Sequence, residues 1–119
     1  MRFRVLLGAV VWLFFPGISS ARPCDKVLAQ DELVECLGTE FLTADNQLND
    51  TYNKLRARLD KDARETLKKA QQAWLTYRDG DCEFQASAAA GGQAYNPIYI
   101  SCQTKKTILR TQELKASGW

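Results

Sequence analysis

The chain has 119 residues, with 16 Lys and Arg against 14 Asp and Glu, no His and four Cys. That length supports one domain and not two. The lack of His excludes Ser-His and Cys-His nucleophilic pairs and the commonest metal sites.

The N-terminus carries Arg2 and Arg4 and then an apolar run of 11 residues, Val5 to Phe15, broken by Pro16-Gly17. Ser19-Ser20-Ala21 places small residues at the −3 and −1 positions of a cleavage site. This is the three-part layout of a secretory signal peptide, and the run is far short of the roughly 20 residues that span a bilayer. Residues 1–21 are therefore expected to be removed after Ala21, leaving residues 22–119 as a periplasmic or secreted domain. Both excess cations leave with the leader, so the mature part holds 14 basic and 14 acidic residues. No basic field remains to attract nucleic acid or anionic lipid. Arg22-Pro23 before Cys24 does not match a lipidation site, so no membrane attachment is expected after cleavage.

Cys24, Cys36, Cys82 and Cys102 all lie in the mature part. An even count in a short exported chain reads as two disulfides, and four cysteines allow three pairings. A metal site is disfavoured, because there is no Cys-x-x-Cys and no His.

In chain order, Leu33, Leu37, Phe41, Ala44, Leu48, Tyr52, Leu55 and Leu59 recur in steps of three and four, the stripe of an amphipathic helix. Gly38-Thr39 divides it into a short helix, about 31–37, and a longer one, or leaves it as one element. Asp62 with Glu65 three residues on reads as a capping box opening a second helix. Its stripe is Ala63, Leu67, Ala70, Trp74 and Tyr77. Ala88 to Gly92 ends that helix, and Asn96-Pro97 opens a third that runs to about Ala116. No segment alternates with period two, so no sheet is expected.

The fold class is thus all-α: three main antiparallel helices with a short N-terminal helix or arm, stapled by two disulfides. Cys82, late in the second helix, and Cys102, early in the third, face each other across the Ala-Gly turn. A bridge closing about 20 residues contributes roughly 3 kcal/mol in the chain-entropy model. Cys24–Cys36 would then tie the N-terminal arm to the first helix. Crossed pairings stay open.

Asp45-x-x-Leu48-Asn49-x-x-Tyr52-x-x-Leu55 falls on the first long helix. Ala70-Gln71-x-x-Trp74-x-x-Tyr77-Arg78-Asp79-x-x-Cys82 falls on the second, followed by Gly91-Gly92, Cys102, Thr107-x-x-Arg110 and Leu114. From about Cys24 to Leu114 this resembles the LprI-like lysozyme-inhibitor domain family of small exported bacterial proteins. The resemblance implies an all-helical exported domain. It also implies a protein partner, a lysozyme-type glycosidase whose cleft is occluded, with no catalytic residue, cofactor or metal. The alternative is an envelope interaction module that binds another protein or a cell-wall component without inhibiting it.

Trp74 and Tyr77 are expected to fill the core beside a disulfide, with Arg78 paired to Asp45 or Asp79. Asn49 is expected to hydrogen-bond a loop or a neighbouring helix, and Tyr52 and Arg110 complete the structural set. Partner-binding candidates are the Gly91-Gly92 loop with Tyr95, and Arg78 in a second reading that leaves it exposed as an anchor.

Overall fold

The computed structural model describes residues 24–119; the expected leader and cleavage site lie outside the described residues. Three α-helices, α1 (Gln30–Ala57), α2 (Lys61–Ala86) and α3 (Tyr95–Lys115), are joined by short connections, with one turn of 3-10 helix at Ser87–Ala89. No strand occurs among the described residues. None of these helices is long and apolar enough to cross a membrane.

The first stripe is one uninterrupted helix. Gly38 lies within it without breaking it, because the flanking turns bury a continuous face. Residues 24–29 form an arm rather than a helix, pinned by Cys24–Cys36 with Cα atoms 5.7 Å apart. Cys82–Cys102 forms the second bridge, at 5.5 Å.

α2 begins two residues earlier than the capping-box pattern implies. The Asp60 carboxylate, not Asp62, accepts the Ala63 N–H at 2.8 Å. Asp60 follows the last core residue of the hairpin, Leu59, and so sits where the chain reverses. Arg64 reaches back from α2, its Nε donating to the Arg56 carbonyl at 2.9 Å. A cation thereby adds a partner to the carbonyls at the end of α1, alongside the backbone N–H of Leu59. α3 begins at Tyr95 rather than at an Asn96 cap. Pro97 then occupies the first turn, where its missing N–H has no partner to lose.

The chain runs up, down and up, so α1 and α3 are parallel. α3 packs against both α1 and α2. Leu48, Leu55, Leu59 and Leu114 form the apolar core, with Tyr52, Leu67 and Trp74 packed on it. The buried face of α3 is otherwise polar: Gln103, Thr107 and Thr111. Threonine is short, which suits a helix held close to its neighbours.

α2 also buries polar side chains. Gln71 and Arg78 point inward where the apolar stripe reads Ala70 and Tyr77; Ala70 and Tyr77 are exposed instead. Arg78 is 6% exposed. Its Nε donates to Asp79 Oδ1 at 2.8 Å and an Nη to Thr107 Oγ1 at 3.3 Å. Asp45 of α1 lies 3.9 Å away. The guanidinium also stacks over the Phe41 and Trp74 rings, 5.3 Å from each centroid. Gln103 donates to the same Asp79 oxygen at 2.9 Å. One cation thus joins all three helices, and no buried side-chain polar atom is left unpaired among the described residues.

Burial raises the Asp79 carboxyl, but the hydrogen bonds from Arg78 and Gln103 and the Arg78 charge outweigh it and hold it below its ordinary 3.8. A carboxylate depressed in the fold stabilises it above the unfolded value, and that contribution disappears as pH falls through the folded value. In thermal melts, the stability gap between the native chain and Asp79→Asn should therefore be constant near neutrality and close below about pH 4. In urea titrations at neutral pH, Arg78→Ala should cost about 3–5 kcal/mol, since it strands the partners of a buried ion. Arg78→Lys should still be destabilising, because a point charge cannot reproduce the planar fork and the stacking.

Candidate functional site

The end of the bundle that holds both disulfides is where the sequence places its partner loop. α2 stops at Ala86, and the Ser87 hydroxyl donates to the Phe84 carbonyl at 2.7 Å to close the last turn. Ala90 is extended, and Gly91 takes φ +78°, a left-handed conformation that glycine adopts without strain. The Gly92 N–H returns to the Ala89 carbonyl at 3.0 Å. A Cβ at Gly92 would lie 3.3 Å from that same oxygen. Both glycines are therefore needed by the turn itself.

Residues 90–94 are exposed and fastened on both sides. The Cys82–Cys102 bridge joins the two helices below the loop. From α1, Gln30 Nε2 donates to the Gln93 carbonyl at 2.7 Å. Tyr95 is half-buried, its ring stacked on Tyr99 with centroids 6.0 Å apart and planes within 9°. The Tyr99 hydroxyl accepts from Gln103 at 3.1 Å. Burial, together with the Asp79 and Glu83 charges, raises its pKa, so it stays protonated.

The other expected residues divide clearly. Trp74 and Tyr52 are half-buried against the core. Arg110 donates from Nε to Gln71 at 3.0 Å and pairs with Glu113 at 3.1 Å. Arg78 pairs with both proposed carboxylates; being buried, it is not an exposed anchor, because those pairs and the two rings enclose it. Asn49 does not bridge to another helix. It is exposed and makes a 3.5 Å contact with Asp45 one turn back. Tyr77 leaves the core for the surface, where Lys106 Nζ lies 4.9 Å from its ring centroid and 3.3 Å from its hydroxyl.

Sequence reasoning missed the buried Gln71, Gln103 and Thr107, the Gln30–Gln93 link, and the Lys106–Asp81 ion pair at 2.8 Å. For Gln103 and Thr107 the signal is periodicity without hydrophobicity. Tyr99, Gln103, Thr107 and Thr111 recur every four residues. The Asp81 hydrogen bond raises the Lys106 ammonium above its ordinary value despite burial.

Each of these shifts favours the charge state the group already holds near neutral pH. Cys24, Cys36 and Glu40 lie close enough together to hold a metal. The two sulfurs are bonded to each other, however, and a disulfide lacks the thiolates that bind one. The loop at 90–94 is exposed, poor in side chains and braced from both sides.

Comparison with known proteins places the chain in a family. A family model described as Lysozyme inhibitor LprI matches residues 24–114. An uncharacterized protein of Rhizobium meliloti (strain 1021) is 37% identical over 105 residues, covering 77% of this chain and 76% of the relative. The uncharacterized protein YecT of Escherichia coli (strain K12) is 27% identical over 118 residues, covering 82% and 73%. No solved structure matches. The match takes in both disulfides, the Arg78 network and the glycine loop, and on it the chain belongs to the LprI lysozyme-inhibitor family.

Proposed function

We propose that this protein is an exported inhibitor that binds a lysozyme-type glycosidase and blocks its cleft, with no chemistry of its own. The observation that carries the reading is the family match over residues 24–114, which spans nearly all the described helices. Two intact disulfides support an oxidising compartment outside the cytoplasm.

The surface we assign to the partner is the loop at 90–94 with its flank at Tyr95. Three features support it. Ala90, Gly91, Gly92 and Ala94 are small, so the protrusion is narrow enough for a cleft that admits a glycan strand. The disulfide and the Gln30 hydrogen bond fix its shape before binding, which lowers the ordering cost of association. Arg78, the rival anchor, is committed to the interior.

Export is tested by expressing the whole sequence and weighing the periplasmic product without reduction. The expected mass is that of residues 22–119 carrying two disulfides. The same preparation should slow lysozyme-driven clearing of a cell-wall suspension in a dose-dependent way. Unchanged clearing at large molar excess would contradict the reading. Capture of a single envelope partner in its place would favour the non-inhibitory alternative. Ala94→Arg, on an exposed position, should weaken inhibition by about tenfold or more, on the order of 1.4 kcal/mol of binding, with an unchanged melting temperature. Tyr95→Ala should weaken inhibition too, and should cost about 0.5–1.5 kcal/mol of stability by unstacking Tyr99.

A further inference from the structure

α2 and α3 share an outer face, on the far side of their contact from the Arg78 network. A groove of about 560 Å³ runs there between the two helices, its walls including Asp81 and Gln85 of α2 and Ile98, Ser101, Lys105 and Leu109 of α3. Phe84, 73% exposed, stands on the rim beside Gln85, and Tyr77, 58% exposed, lies one turn before Asp81. Ile98 and Leu109 are 40% and 57% exposed. Apolar side chains gathered around a groove mark an interaction surface, whereas scattered ones do not.

Size and charge decide what the groove can take. The four apolar side chains present on the order of 400 Å², half of the roughly 800 Å² per partner that a stable protein interface buries. The volume instead falls within the range of small-molecule sites. The groove holds Lys105 and Lys106 against one acid, Asp81, and Asp81 is already paired with Lys106 at 2.8 Å. Lys105 is exposed and makes no ion pair among the described residues. One ammonium is thus left free above an apolar floor. Ile98 lies two turns along α3 from it, about 10 Å. That distance matches an extended chain of about eight carbons at roughly 1.2 Å per bond. Between the two, the short side chain of half-buried Ser101 leaves the floor open.

We infer that this groove binds a single-chain anionic amphiphile. Its carboxylate pairs with the Lys105 ammonium, and its alkyl chain lies over Ser101 between Ile98 and Phe84. Recognition of this kind needs one ammonium and not a basic field, so it is compatible with a mature chain of balanced charge. A flat bilayer surface would reach the rim of such a groove and not its floor. The groove includes no residue of the loop at 90–94, and its ligand is independent of any glycosidase.

Backbone amide NMR of the oxidised exported protein, titrated with octanoate below its micelle concentration, tests this. The resonances of Gln85, Ser101 and Lys105 should move together with one dissociation constant of about 0.1–1 mM. Hexanoate should bind about three- to tenfold more weakly, short of the roughly fifteenfold of two fully buried methylenes because the groove is open on one side. Octyl glucoside, with the same chain length and no charge, should bind about fivefold more weakly than octanoate. Lys105→Glu should weaken octanoate by about fivefold or more, and Phe84→Ser by about threefold or more. Both residues are exposed, so the melting temperature should not change. Groove resonances unmoved at about 10 mM octanoate would overturn the proposal. So would octyl glucoside bound as tightly as octanoate, or octanoate binding that survives both substitutions. Sedimentation with phosphatidylglycerol vesicles, while dispersed octanoate leaves the groove unmoved, would also overturn it.

Discussion

A buried guanidinium organises this bundle. Arg78 sits where the three helices meet, hydrogen-bonded to Asp79 and Thr107, near Asp45, and stacked on Phe41 and Trp74. Taking such an ion out of water costs several kcal/mol, and the cost is met only because nearly every direction around it holds a partner. The consequence is register. Leucines tolerate sliding and repacking. A planar fork with partners on three helices fits one arrangement, so we read the network as the device that specifies how a core of four buried leucines is assembled.

The disulfides complement this pin at one end. Cys24–Cys36 and Cys82–Cys102 secure the arm and the α2–α3 connection, while the leucine cluster with Leu114 closes the opposite end. A domain of under a hundred residues has too little apolar interior to do without such staples. Rigidity at the disulfide end has a functional meaning in the proposed reading. A loop held by a covalent bridge and by Gln30 reaches a partner already ordered.

The sequence was informative where hydrophobicity marked the buried face and less so where polarity did. The α1 stripe from Leu33 to Leu59 contains no exposed residue, and helix order favours the two observed disulfide pairings while leaving crossed ones open. On α2 the apolar pattern ran through Ala70 and Tyr77, one position off the true inner face at Gln71 and Arg78. The pairing of Arg78 with Asp45 and Asp79 is legible in the sequence, whereas its contact with Thr107, 29 positions away, is not. The cap of α2 was misplaced for a local reason: Glu65 completes a capping box only with Asp62, yet the chain reverses directly after the core residue Leu59 and Asp60 takes the cap. Of the site, the glycine loop was visible because left-handed backbone has a residue signature. The fastening by Gln30 was not, since a glutamine to a distant carbonyl has none.

Whether Arg78 is a pin or a contact residue decides how the family segment Trp-x-x-Tyr-Arg-Asp-x-x-Cys is understood, and exchange of its Nε proton measures this directly. Side-chain nitrogen NMR at neutral pH should show the Arg78 Nε–H, which donates to Asp79 at 2.8 Å in a 6% exposed residue, exchanging with water as slowly as core helix amides. The exposed Arg56 and Arg58 should exchange within the dead time. An Arg78 proton that exchanged as fast as theirs would place the guanidinium in solvent and contradict the account.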